Sequence, residues 1–126
     1  MPDRHYQDDP TILNEDALWR RIPPWHFIRD DNAGRTRPSS AAFDEYDMSV
    51  VIAKNSRGSE SALANHVGFA LAAITAGLAR DNGQGVASDP TTEEPAHGIV
   101  FGNKTKTIKK RLAGAAEWVI PPPSSP

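Results

Sequence analysis

A chain of 126 residues, 38% hydrophobic and 24% charged, has room for one modest core and not for two. It contains no cysteine, which excludes disulfides, thiolate zinc sites and thiol nucleophiles. The net charge of −2 conceals an uneven distribution: residues 1–47 carry ten acids and six bases, whereas residues 95–126 carry five bases and one acid.

No apolar run approaches the roughly 18 residues of a membrane span. The opening MPDRHYQDDP is acidic and polar rather than signal-like, so a cytoplasmic protein is expected. Residues 1–13 lack periodicity and read as a polar arm. Asn14 is placed to cap a short helix over 15–22, with Glu15 and Asp16 in its first turn and Leu18, Trp19 and Ile22 as its apolar face. Pro23-Pro24 ends that helix. Trp25 to Arg29 then reads as a strand with Trp25 and Phe27 filling core, and Asp31-Asn32-Ala33-Gly34 is turn chemistry.

Arg35 to Asp47 is expected to be irregular, anchored by Phe43 and Tyr46. Met48 to Ala53 (MSVVIA) is the clearest strand. After the polar loop KNSRGSES, residues 62–66 favour helix. Residues 69–79 stay open between helix and strand, because alanine favours the former while Gly68 and Gly77 weaken it. His97 to Phe101 is a second buried strand. Thr107 can cap a helix from Ile108 to about Val119, and PPPSSP over 121–126 is a polyproline-like tail. Helices and strands without regular βαβ alternation indicate an α+β fold: a single domain over 14–120 with a short mixed sheet and a C-terminal amphipathic helix.

The densest chemistry lies at Gly102-Asn-Lys-Thr-Lys-Thr107. A turn feeding a helix start gathers free amides and the positive dipole end, a setting for an anion. Lys104 and Lys106 add charge, Thr105 adds a hydroxyl, and Lys109, Lys110 and Arg111 extend the basic face. The glycine and Gly-Lys-Ser/Thr pattern of a nucleotide-binding P-loop is missing. Arg35 and Arg37, as directional forks, would complete an anion pocket if their loop folded over this turn. His97, just after Glu93-Glu94-Pro95, is the candidate general acid or base. Ser39-Ser40 lacks the Gly-x-Ser-x-Gly surroundings of a nucleophile. No helical histidine pair suggests a metal, and nothing implies a cofactor. The acidic whole argues against nucleic acid.

The segments RRIPP, RPSSAAF, MSVVIA and EPAHGIVFG together resemble a set of small uncharacterised bacterial proteins, over roughly residues 18–119. That resemblance implies a shared fold and no particular reaction. Two readings follow. The first is an accessory protein that binds a larger protein partner, or a second copy of itself, through complementary acidic and basic surfaces. The alternative is an enzyme acting on a nucleotide or other phosphorylated ligand, with its anion site at the 102–107 turn.

Overall fold

The computed structural model describes residues 6–30 and 34–123. The fold is α+β. Its frame is a six-stranded sheet in the order β6-β7-β4-β1-β5-β8, beside a two-stranded β2-β3 hairpin. The elements are β1 (Ala17–Ile22), β2 (Phe27–Asp30), β3 (Arg35–Pro38), β4 (Asp47–Ile52), α1 (Ser59–Ala62), β5 (Ala70–Thr75), α2 (Ala76–Asp81), β6 (Gly85–Ser88), β7 (His97–Phe101), α3 (Lys106–Ala115) and β8 (Glu117–Ile120). All the strand pairings are antiparallel. No helix among the described residues is long and apolar enough to cross a membrane.

Period-two alternation along the strands sorts side chains onto two faces. Leu18, Ile22, Met48, Val50, Ile52, Ala72, Ile74 and Val100 build the main core, which Phe43 and Leu112 complete. Phe43 belongs to a 3-10 turn, Ser40–Phe43, that packs against α3. The opposite face carries a smaller cluster of Val51, Leu71, Ala62 and Ala96, with Trp19 and Ile120 against it.

Two expected helices are corrected, and the segment left open is resolved. The helix over 15–22 is the strand β1. Leu18 and Ile22 stand four apart, a spacing that places two residues on one face of a helix and of a strand alike. Asp16 does not serve a first helical turn; its carboxylate accepts from the Leu13 amide at 2.6 Å and pairs with Lys54 at 2.6 Å. The open segment 69–79 is β5 followed by α2, capped by Thr75, whose hydroxyl accepts from the Leu78 amide. Alanines run through β5 because it is buried on both faces, so packing overrides helix propensity. The C-terminal helix starts earlier and ends sooner than expected. Thr105, not Thr107, is its cap. The chain extends again at Ala116, placing Trp118 and Val119 on β8.

The arm expected over 1–13 belongs to the domain across its described part. Ile12 is 2% exposed in the main core. The Asp9 amide donates to Val86 O at 2.8 Å, and Asp8 accepts from the Val86 amide and pairs with Arg80. Residues 1–5, the expected turn at 31–33 and the tail residues 124–126 lie outside the described residues. The strands at 48–53 and 97–101 stand where the sequence indicates, as Asp47–Ile52 and His97–Phe101.

Candidate functional site

The turn after β7 divides its lysines between inside and outside. Lys104 is only 8% exposed. Its Nζ donates to Tyr46 O at 3.0 Å, Val100 O at 2.9 Å and Gly102 O at 3.2 Å. All three ammonium protons therefore have backbone acceptors. Burial pushes its pKa down to about 8, against the opposing attraction of Asp47. Lys104 ties β4, β7 and the turn together and is not available to an external anion. Thr105 Oγ1 is likewise used, accepting from the Ile108 amide.

The remaining sequence candidates do not converge with it. His97 stands at the start of β7 and the turn at its far end, about 13 Å apart at strand rise. His97 Nδ1 is 2.8 Å from Asp89 O and 3.2 Å from Asp89 Oδ2. The neighbouring carboxylate is thus Asp89 rather than Glu93 or Glu94. Arg35 and Arg37 lie on β3 and share a hollow with Ala113, Gly114 and Ala116 at the C-terminal end of α3. A ten-residue helix is about 15 Å long, so this is the wrong end for the expected pocket. The single anion site combining these groups with His97 is not assembled.

What the helix does present is cationic. Lys106, Lys109 and Lys110 have no ion pair or side-chain hydrogen bond among the described residues. Arg111 Nη1 reaches Asn82 Oδ1 at 3.3 Å. Three of the acids in residues 1–47 are committed elsewhere: Asp8 to Arg80, Asp16 to Lys54 and Glu45 to Arg20, while Glu15 and Asp44 are exposed with no ion pair among the described residues.

A second site lies around a stretch that the sequence reads as architecture rather than chemistry. The β1-β4 ladder pairs only Leu18 with Ile52 and Trp19 with Val51, although β1 stays paired with β5 through Ile22. The next rungs, Arg20 opposite Val50 and Arg21 opposite Ser49, are absent. Arg20 bridges the gap instead: Nη1 donates to Ser49 O at 2.8 Å, Nε to Ala42 O at 2.9 Å and Nη2 to Glu45 at 2.7 Å. Arg20 lies in the RRIPP segment, and its carbonyl partners lie in RPSSAAF and MSVVIA, so three of the four distinctive segments meet at one guanidinium.

Where the strands separate, a cleft of about 330 Å³ opens, floored by Ser49 and Val50 and walled by Trp19, Arg21, Trp25, His26, His66 and Phe69. Trp25 was expected in the core and is instead 74% exposed. The cause is Pro23-Pro24, which leads not directly into a strand but into a 3-10 turn, Pro24–His26, that turns the indole outward. Trp25 meets Phe69 edge-on at 6.0 Å between ring centroids, and His66 meets Phe69 at 5.3 Å. The loop bearing His66 and Phe69 closes on Pro24 through Gly68, whose φ of +82° a side chain rarely adopts. Val67 on its crest is 95% exposed. His26 Nδ1 is buried without a partner. Arg21 Nε donates to Ala62 O, and burial lowers its pKa, with Glu94 opposing. Among the described residues no cluster of His, Asp or Glu could hold a metal. No family model, curated protein or solved structure matches the chain.

Proposed function

We propose that this protein is an interaction module that docks onto an acidic surface of a larger partner through the exposed face of α3. The observation that carries this reading is the charge accounting around that helix. Among the described residues, Lys106, Lys109 and Lys110 have no anionic companion, while Asp8, Asp16 and Glu45 are each held by a cation within the same chain. Cations crowded into the first turns oppose the helix dipole, and an arriving acidic group relieves that repulsion. Pairing within the chain leaves Asp8, Asp16 and Glu45 less available to a second copy, which favours a partner with its own acidic patch. The enzyme reading loses its main support, since Lys104 faces inward and His97 stands at the other end of its strand.

Calorimetric titration of the full chain with polyglutamate tests this. The expected result is saturable binding that weakens as salt rises from 50 to 300 mM (about a Debye length of 14 Å falling to 6 Å). The triple change Lys106→Glu, Lys109→Glu, Lys110→Glu abolishes it while leaving the melting temperature within a few degrees. Equal binding by the triple variant would overturn the proposal, as would no heat of binding at low salt.

A further inference from the structure

The cleft between β1 and β4 is chemically one-sided, and that identifies what it accepts. Its polar wall offers donors, and the carboxylate that lines it, Glu45, is already held by Arg20 Nη2 at 2.7 Å. Trp118 Nε1 is satisfied by Thr36 O at 3.0 Å, but the indole N–H groups of Trp19 and Trp25 have no partner among the described residues. Arg21 uses Nε on Ala62 O, and the two ends of its fork make no hydrogen bond among the described residues. The apolar wall offers ring faces: Trp25 and Phe69, fixed edge-to-face, with Pro23 beside them. A segment that brings carbonyl acceptors, no backbone N–H and flat apolar rings complements both walls. Proline has this composition, because it carries a carbonyl and no amide proton. A polyproline helix is extended before binding, so docking costs it little conformational entropy.

The chain itself presents such a segment in Pro121-Pro122-Pro123. In the same molecule these prolines run beside Arg29, Arg35, Thr36 and Trp118, along the β2-β3 hairpin rather than in the cleft. We infer that the aromatic cleft at Trp25 is a polyproline-binding site, and that its occupant is the proline-rich end of a second copy of this chain. This is independent of the acidic-partner reading, because it uses neither α3 nor any lysine. Two copies exchanging tails this way form a closed, two-fold pair with the same contact made twice.

The test uses the full chain and synthetic peptides. Sedimentation velocity across 10–500 µM reads self-association, and amide and indole resonances of the labelled chain read the contact. The expected results are concentration-dependent dimerisation, and displacement of the Trp25 indole and Phe69 amide resonances by the peptide VIPPPSSP. The peptide VIAAASSA leaves them unmoved. Trp25→Ala weakens peptide binding at least tenfold and leaves the protein monomeric, with its fold intact because the ring is exposed. Trp25→Phe keeps a ring face without the N–H and retains an intermediate affinity. Three results each overturn the inference: a chain that stays monomeric at 500 µM with VIPPPSSP unbound, equal binding of the alanine peptide, or Trp25→Ala binding as tightly as the parent. Binding of decaproline by a chain that neither dimerises nor binds VIPPPSSP also overturns it, since the occupant is then foreign.

Discussion

Replacing Lys104 by methionine keeps the apolar stem and removes the three donors that hold Tyr46, Val100 and Gly102. The loss is not three full hydrogen bonds. Tyr46 O also accepts the Gly102 amide at 3.0 Å, and the contacts to Tyr46 and Gly102 are only partly buried. With each lost bond worth about 0.5–1.5 kcal/mol and part of the ammonium's desolvation cost recovered, the net destabilisation is about 1–3 kcal/mol. For a domain of this size that is a fall in Tm of about 4–12 °C. The pH dependence gives a second, signed readout. The folded pKa is pushed down to about 8 from 10.5. Between those values the unfolded chain binds the extra proton, so the parent gains stability as pH rises through this window, and below pH 8 the contribution is flat. The gap between parent and Lys104→Met, measured by urea unfolding, should be constant from pH 6 to 7.5 and widen from pH 8 to 10. A variant as stable as the parent at pH 7, or two profiles that stay parallel to pH 10, would refute the inward placement of this lysine.

Arg20→Ala removes the bridge across the missing β1-β4 rungs and should cost about 2–4 kcal/mol in chemical denaturation. Arg20→Lys should restore less than half of this, since one ammonium cannot serve acceptors on Ala42, Ser49 and Glu45 with a planar fork's geometry. By contrast Glu45→Gln should cost below about 1 kcal/mol, because its side chain is 60% exposed. For Asp16, the hydrogen bond from Lys54 and that from the Leu13 amide hold the carboxyl below its usual 3.8. Its stabilisation is therefore present above that value and is lost as pH falls through the folded pKa. Asp16→Asn should flatten the acid limb of the stability profile below pH 4, and an unchanged limb would exclude the pairing.

Legibility in the sequence followed the range of the interactions. Met48 to Ile52 and His97 to Phe101 are readable because a continuous apolar run buried on both faces is a local signal. The break at Pro23-Pro24 is readable for the same reason, although its consequence is not: two prolines announce a stop, and whether Trp25 then faces core or solvent depends on Phe69, more than forty residues on. β1 is misread because Leu18 and Ile22 satisfy both periodicities. β5 stays undecided in the sequence because alanine is a helix former wherever tertiary packing does not forbid it. The site was legible only as a set of residue types. That Lys104 lies near a helix start is written in the chain, but its inward turn depends on carbonyls at positions 46, 100 and 102. The cleft depends on rungs that fail to form between strands about thirty residues apart, and an absent pairing leaves no mark on composition. The cue that was available is the clustering of Arg20, Arg21, Trp25 and His26 within seven residues.

The ammonium resonances of the five lysines, observed directly in the full chain with and without polyglutamate, test most sharply whether the turn after β7 separates its cations. Lys104 should give a slowly exchanging signal indifferent to the polyanion, while Lys106, Lys109 and Lys110 exchange fast and shift together on its addition. A Lys104 signal that exchanges freely and moves with the others would mean that the 102–107 turn is open to anions after all.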